Sequence, residues 1–338
     1  MTFLPRLGRY RIDAVLLLVA LVWGGSYLAA KVLTEQASVG AVLALRFLVA
    51  ALALLLIWAL SRPRRPTRAE LAGGALLGLT QAAILWLETA GVAVTSATNA
   101  GLIISLTIIL TPILESVAAR NWLPRSFFVA AVLAVVGVAL LVSGSGFRAP
   151  NPGDLLMLAA ALVRALHVTM VGRVTRADDA GRRPGTLTIT LVQAAVGALA
   201  FTAADAPGTL RAIGAFGPAA WLGVLYLGLA CSVFAFLAQT WAIRHTSAAR
   251  ASLLMGTEPV WAVVVGVSLG SENLGLVAVL GAGLIIAGTS WGQRVEQGHR
   301  LGRRPTCSRC RPGHIRRSRP SAEAGFGCSS ASARARSH

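Results

Sequence analysis

The sequence predicts an all-α polytopic membrane protein of ten transmembrane helices, built as two inverted five-helix repeats. Three observations predict it. Apolar runs of about 18–22 residues recur along the chain, close to the roughly 20 residues a helix needs to cross a bilayer. Basic residues alternate from loop to loop in the way that orients membrane proteins. A short pattern that begins at Glu88 returns 151 residues later, at Gln239. Composition agrees: 55% of the 338 residues are hydrophobic and only 13% are charged. An average soluble domain carries about 25% charged residues, so this chain has too few to cover a soluble surface of its size.

The spans fall near 12–32, 39–60, 70–88, 97–118, 126–143, 154–174, 185–204, 219–242, 248–269 and 273–291. Turn-forming residues mark several joints: Arg62-Pro63-Arg64-Arg65-Pro66, Pro150-Asn151-Pro152-Gly153, Arg182-Arg183-Pro184-Gly185 and Gly217-Pro218. The runs do not alternate in the manner of barrel strands, so helices must satisfy the backbone in lipid. Arg6, Arg9 and Arg11 precede the first run, as in a signal peptide. That run continues to about Val32 and more spans follow, so an uncleaved first helix is expected.

The net charge of +18 invites a nucleic-acid reading, but its distribution argues against one. Residues 292–338 hold eleven arginines and two glutamates, so half of the excess lies in the tail. With a cytoplasmic N-terminus, the cytoplasmic segments before the tail carry fifteen basic residues: Arg6, Arg9, Arg11, Arg62, Arg64, Arg65, Arg68, Arg120, Arg125, Arg173, Arg176, Arg182, Arg183, Arg244 and Arg250. The opposite side carries three: Lys31, Arg148 and Arg211. Positive residues stay with the cytoplasm, so both termini are predicted inside. A missed or false helix would invert every later loop and spoil the asymmetry. One lysine beside thirty arginines points to a GC-rich bacterial genome, hence a bacterial plasma (inner) membrane.

The repeat pairs Glu88-Thr89-Ala90-Gly91-Val92-Ala93-Val94-Thr95-Ser96-Ala97 with Gln239-Thr240-Trp241-Ala242-Ile243-Arg244-His245-Thr246-Ser247-Ala248. Downstream, Thr111-Pro112 matches Glu258-Pro259, which lies four residues closer to its Thr-Ser, about one helical turn. Five helices per copy is an odd number, so the second copy is inserted upside-down. Inverted repeats around a midplane site are a recurring transporter architecture.

Over residues 12–291 the chain resembles the EamA-type branch of the drug/metabolite transporter superfamily. The resemblance is carried by Trp23-Gly24-Gly25-Ser26, Arg46-Phe47, Glu88-Thr89-Ala90-Gly91 leading into Thr95-Ser96-Ala97-Thr98-Asn99-Ala100, Gln239-Thr240-Trp241-Ala242 leading into Thr246-Ser247-Ala248-Ala249-Arg250, then Glu258-Pro259-Val260 and Leu269-Gly270-Ser271-Glu272. It implies a ten-helix permease with a central cavity that exports amino acids, metabolites or drugs as an exchanger or proton-coupled carrier. The chain departs from the family pattern in three places. Arg120-Asn121-Trp122-Leu123-Pro124-Arg125 lacks the acid that follows the fourth helix, Glu88 stands where glutamine is common, and Arg164 replaces an apolar or aromatic residue. The expected domains are an N-terminus (1–11), a first repeat (12–145), a linker (146–153), a second repeat (154–291) and a disordered cytoplasmic tail (292–338).

A charge at the centre of a spanning helix costs about 2.5–3.5 kcal/mol on insertion scales and must face a cavity or a partner. Arg46, Glu88, Glu115, Arg164, His167 and Glu258 are the ionisable candidates inside spans. Glu258 precedes Pro259, whose ring removes a backbone donor and opens the helix locally. Its carboxylate either binds a cation or proton or pairs with an arginine. Glu88 is either a cavity carboxylate or an interfacial one that reaches water. Arg46 either holds a substrate carboxylate in its planar fork or neutralises Glu88 or Glu258 as part of the assembly. Arg164 and His167, three residues apart, share a helix face and would form an interior polar stripe with Glu115. His167 either follows proton binding or makes a plain interhelical hydrogen bond. Trp23 and Tyr27, one turn apart, either flank substrate or simply pack. Asn99, Ser105, Thr107 and Gln239 offer neutral hydrogen bonds to substrate or to neighbouring helices. Gly74 and Gly78, spaced as GxxxG, point to close helix contact.

Other chemistries lack their motifs. There is no P-loop, so ATP is not the expected energy source. Nothing completes a triad around His245 and Ser247. Cys307-Ser308-Arg309-Cys310 with His314 and Cys328 imitates a zinc knuckle, but the spacing is loose and no apolar core surrounds it, so no metal is expected. The expected partners are a small-molecule substrate, membrane lipids and protons or a counter-substrate. No nucleic acid, cofactor or enzymatic activity is expected.

Overall fold

The computed structural model describes residues 4–61, 64–94, 103–143, 152–176, 184–261, 264 and 275–302, and every described element is helical. The helices are α1 (Leu4–Thr34), α2 (Val39–Ser61), α3 (Arg68–Val94), α4 (Thr107–Ala119), α5 (Arg125–Ser143), α6 (Pro152–Val174), α7 (Thr186–Ala204), α8 (Ala206–Ala215) and α9 (Pro218–Leu225). After α9 come a π-helical segment (Tyr226–Phe234), α10 (Ala235–His245), α11 (Ala248–Met255) and α12 (Leu276–Gly302). Among the described residues, six stretches are long and apolar enough to cross a membrane: Tyr10–Thr34, Val39–Ser61, Arg68–Gly91, Pro152–Val174, Thr186–Ala204 and Pro218–His245. Their outward faces are apolar (Leu52, Leu60, Leu79, Leu199 and Leu222 are all exposed), as expected where lipid is the solvent.

Local chemistry explains the helix ends. Thr67 and Glu70 form a capping box at α3: the Glu70 amide donates to Thr67 Oγ1 at 3.2 Å, and the Thr67 amide donates to Glu70 Oε2 at 2.8 Å. Ser247 caps α11 by accepting from the Arg250 amide at 3.0 Å. The α4 helix ends at Arg120 with φ 49, the left-handed region usual for a C-terminal cap.

The structure departs from the sequence expectation at several places. Residues 206–215 form the short helix α8 rather than a loop, because Asp205 caps it, accepting from the Gly208 amide at 3.0 Å, and Pro207 sits in its first turn. The span near 219–242 is not one regular α-helix, since its middle winds as a π-helix. The span near 248–269 is interrupted after Met255: Gly256 and Thr257 form a turn and helix resumes at 258–261, while 262–263 and 265–269 lie outside the described residues. Pro259 lacks the amide that would bond the Met255 carbonyl, and it fits the start of a new helical stretch. Finally, α12 continues to Gly302, so residues 292–302 are helical rather than disordered; 303–338 lie outside the described residues.

Packing follows a definite pairing. α5 packs on α12, α2 on α7, and α3 on both α6 and α7; α1 packs on the π segment and α10, and α2 on the π segment. Small residues allow the closest approaches. A Cβ on Gly137 would stand 2.7 Å from the Ile285 amide nitrogen, and one on Gly288 2.8 Å from the Ala130 carbonyl. Gly74 and Gly78 likewise admit the α7 backbone at Ile189 and Gln193, so their spacing does serve helix contact. The largest buried cluster joins Leu16, Val19, Phe47, Leu77, Ile189 and Phe236 from α1, α2, α3, α7 and α10.

Candidate functional site

The buried charges gather around Arg164. Its Nη2 lies 2.9 Å from Glu88 Oε1 and its Nη1 3.2 Å from Glu258 Oε2, so one guanidinium bridges two carboxylates. The accessibility of these side chains is 16% for Arg164, 7% for Glu88 and 6% for Glu258. The Arg164 Cζ sits 5.4 Å from the centroid of the Trp23 ring, within cation–π range. α1 supplies Trp23, α3 supplies Glu88, α6 supplies Arg164 and the resumed helix at 258–261 supplies Glu258. The break at Gly256–Thr257 brings the Glu258 carboxylate into the interior, where it is 4% exposed.

Arg46 does not neutralise either glutamate by direct contact. Its Nε donates to Ser232 Oγ at 2.8 Å and its Nη2 approaches the Cys231 carbonyl at 3.5 Å, both on the π segment. The same carbonyl accepts from Trp23 Nε1 at 3.0 Å. Ser232 Oγ donates in turn to the Leu227 carbonyl five residues back, at 2.9 Å. The π winding therefore presents a carbonyl and a hydroxyl to Arg46 and Trp23, and such π segments are frequent at functional sites. Arg46 is 5% exposed and within electrostatic reach of Glu88 and Arg164.

His167, one turn beyond Arg164 on α6, lies 2.7 Å through Nδ1 from Thr80 Oγ1 of α3. The Thr80 hydroxyl also lies 3.2 and 3.0 Å from the Leu76 and Leu77 carbonyls; when it donates to one of them, Nδ1 must carry the proton, and when it donates to Nδ1 the proton is on Nε2. Nε2 is buried without a hydrogen-bond partner among the described residues. Gln239 Nε2 donates to Met255 Sδ at 3.4 Å, a weak acceptor. Glu115 reaches across from α4 to α11. Its Oε2 accepts from the Ala249 amide at 2.6 Å and so holds the N-terminus of α11. A carboxylate is well suited to the free amides and positive dipole end found there. Thr107 donates to the Ile104 carbonyl at 2.9 Å. Tyr27 belongs to α1, but its side chain, like the whole of Asn99, lies outside the described residues.

A second buried charge cluster escaped the sequence reading. Arg250 Nη2 donates to Asp13 Oδ1 at 2.7 Å and Oδ2 at 2.6 Å, and its Nε donates to Oδ1 at 3.0 Å. Its Nη1 is 4.0 Å from Glu296 Oε2, while Ser247 Oγ donates to Glu296 Oε1 at 3.0 Å. α1, α11 and α12 meet there. The signal was present: all three charged residues sit at span ends assigned to one side, but Glu296 was counted in the tail. Gln81 and Gln193 were also missed; Gln193 Nε2 donates to Gln81 Oε1 at 3.3 Å.

The EamA-like transporter family matches this chain twice, over residues 11–143 and 151–291. The chain belongs to the EamA-like transporter family. An uncharacterized transporter of Archaeoglobus fulgidus is 26% identical over 277 residues, spanning 81% of this chain and 83% of its own length. A solved crystal structure, 18% identical, superposes with a TM-score of 0.68 over 86% of this chain and 99% of its own; that likeness shows the fold. The protein is therefore a multi-pass membrane transporter of a small-molecule substrate, in a family of transporters rather than enzymes. The residues around Arg164 come from both matched segments, Trp23 and Glu88 from the first and Arg164 and Glu258 from the second.

Proposed function

We propose that the protein is a secondary carrier that exports small metabolites, amino acids or drugs across a bacterial plasma membrane by alternating access. A proton gradient or a counter-substrate drives it. It crosses the membrane ten times as two inverted five-helix halves, 12–145 and 154–291, with both termini cytoplasmic. Substrate sits near the midplane among Trp23, Arg46, Glu88, Arg164, His167, Gln239 and Glu258. The observation that carries the reading is the Arg164 bridge between Glu88 and Glu258, which ties the two family segments together through buried charge. Intramembrane ionisable residues of this kind mark substrate and ion pathways.

The packing supports the inverted halves. Exchanging equivalent helices of the two halves turns the α3–α6 contact into α1 on the π segment and α10, and α3–α7 into α2 on the π segment; α2–α7 and α5–α12 map onto themselves. All of these contacts are present. Loop contacts support the sidedness. Glu70 Oε1 accepts from the Gly185 amide at 2.6 Å, and Arg244 Nη1 donates to Thr186 Oγ1 at 2.6 Å. Arg173 Nη2 donates to the Ala118 carbonyl at 3.3 Å, and Asp13 meets Arg250. Each pair joins segments assigned to the cytoplasm. Ser38 donates to Asp205, joining two segments assigned outside.

A growth-inhibition panel of amino acids, dipeptide-derived metabolites and cationic drugs tests the function, in cells expressing wild type or Glu258→Gln. Wild type is expected to confer resistance to one class, and the variant to lose it. No resistance to any compound, with the protein present in the membrane, would sink the export reading.

A further inference from the structure

We infer that Arg164 is a tethered counter-cation: from within the chain it fills a cation seat formed by Glu88, Glu258 and the Trp23 ring, so the carrier needs no metal ion to neutralise that carboxylate pair. The inference rests on the reading of this cluster as the central site and adds what occupies it.

The geometry is that of a bound planar cation. Each terminal nitrogen of the guanidinium meets a different carboxylate, at 2.9 and 3.2 Å, and the aromatic ring lies 5.4 Å from its central carbon. The burial creates the need for such a cation. Two carboxyl groups with only 7% and 6% of their side chains accessible need a proton or a counter-charge, and a cation between them serves both. Among the described residues, their ion pairs are both with Arg164. The other buried arginine nearby, Arg46, is engaged with Ser232 and the Cys231 carbonyl instead. The repeat shows where the extra charge entered: Glu88 in the first copy corresponds to neutral Gln239 in the second. A guanidinium keeps its charge and cannot leave with the substrate. A sodium or potassium gradient therefore has no exchangeable ion to act on at this seat, which favours exchange against a counter-substrate over coupling to a metal ion.

Emptying the seat and refilling it from solution tests this. The probes are millimolar guanidinium, sodium and potassium chlorides at matched ionic strength, read as thermal unfolding of the purified full chain in detergent. Arg164→Ala is expected to melt below wild type. A cation, guanidinium foremost, should raise its melting temperature saturably, as ligand binding to the folded state does. Wild type should gain nothing, because its seat is filled, and Arg164→Ala/Glu258→Gln should gain nothing, because its seat is broken. If Arg164→Ala cannot be purified, Arg164→Gln replaces it, or the variant is prepared in guanidinium, where its yield should recover. The inference is overturned if no cation stabilises the emptied variant, if the double variant responds equally, or if sodium or potassium stabilises wild type. The readout requires no transport. Refilling without resistance to any compound would remove the export reading alone, whereas resistance without refilling would remove the tethered cation alone.

Discussion

Arg46, Arg164 and Arg250 meet the cost of burying a guanidinium in different ways. Arg46 uses neutral acceptors freed by a π-helical turn, Arg164 two glutamates and an aromatic face, and Arg250 a two-nitrogen clasp on Asp13. Charge-assisted contacts of the last two kinds are the stronger ones. That Arg46 and Arg164 lie in the interior was legible from the sequence, since an arginine within an apolar run must face a partner; Arg250, read as a cytoplasmic loop residue, was not. Which partner each chose was not, because spacing along one helix does not reveal what crosses from another. Outside the spans, Asp205 offers a pH-dependent test. The Ser38 hydroxyl, against a smaller desolvation and aided by the Gly208 amide and Arg211, holds its carboxyl below the ordinary value of 3.8. A depressed folded-state pKa means the α8 cap contributes fully above the unfolded value and loses its contribution as pH falls through the folded one. In Ser38→Ala the folded value moves back toward 3.8, so the loss should begin at higher pH. Hydrogen exchange of amides 206–215, corrected for the intrinsic rate, measures it; identical pH profiles for the two proteins would contradict the assignment.

At the scale of elements, glycine decides how closely helices approach. Gly137 and Gly288 bring α5 and α12 to backbone contact, the arrangement membrane helices use where no hydrophobic drive separates helix from lipid. Gly137→Leu is predicted to push α12 away and destabilise the protein by about 1–3 kcal/mol, the usual range for overpacking. Unfolding in mild detergent with added denaturant reads this, and a midpoint equal to wild type would show that the contact is not tight. Most spans were legible because length and apolarity mark a spanning helix. Three features were not. The π segment Tyr226–Phe234 has the same composition as an α-helix, and its register depends on Ser232 reaching the Leu227 carbonyl. α8 was hidden because Asp205-Ala206-Pro207-Gly208 reads equally as a turn. The end of α11 at Met255 was displaced from the proline that causes it, since a missing amide acts four residues upstream.

Across the whole molecule, the proposed alternating access gives the two charge clusters different roles. Arg164 joins the matched segments at the central site, while Asp13, Arg250, Glu296 and Ser247 join α1, α11 and α12 at the end assigned to the cytoplasm. Arg250 is 4% exposed and Glu296 1%, so the junction of α1, α11 and α12 is closed around this cluster. Opening it means separating α1 from α11, and therefore breaking the Arg250–Asp13 clasp. Removing one partner of a buried ion pair costs about 3–5 kcal/mol, so Arg250→Ala should weigh heavily against the closed arrangement. The expected consequence is a change in sidedness rather than a general loosening. A cysteine introduced at Ser252, which is 3% exposed in α11, would replace the four natural cysteines as the target for a membrane-impermeant thiol reagent. In inverted membrane vesicles its labelling should be slow with Arg250 present and several-fold faster in Arg250→Ala. The swap Asp13→Arg/Arg250→Asp should slow it again by restoring the pair with reversed polarity. Labelling from the opposite face should not rise. Faster labelling from both faces would mean that the cluster only holds the fold together, and unchanged labelling in a folded Arg250→Ala would mean that closure of this end does not depend on it.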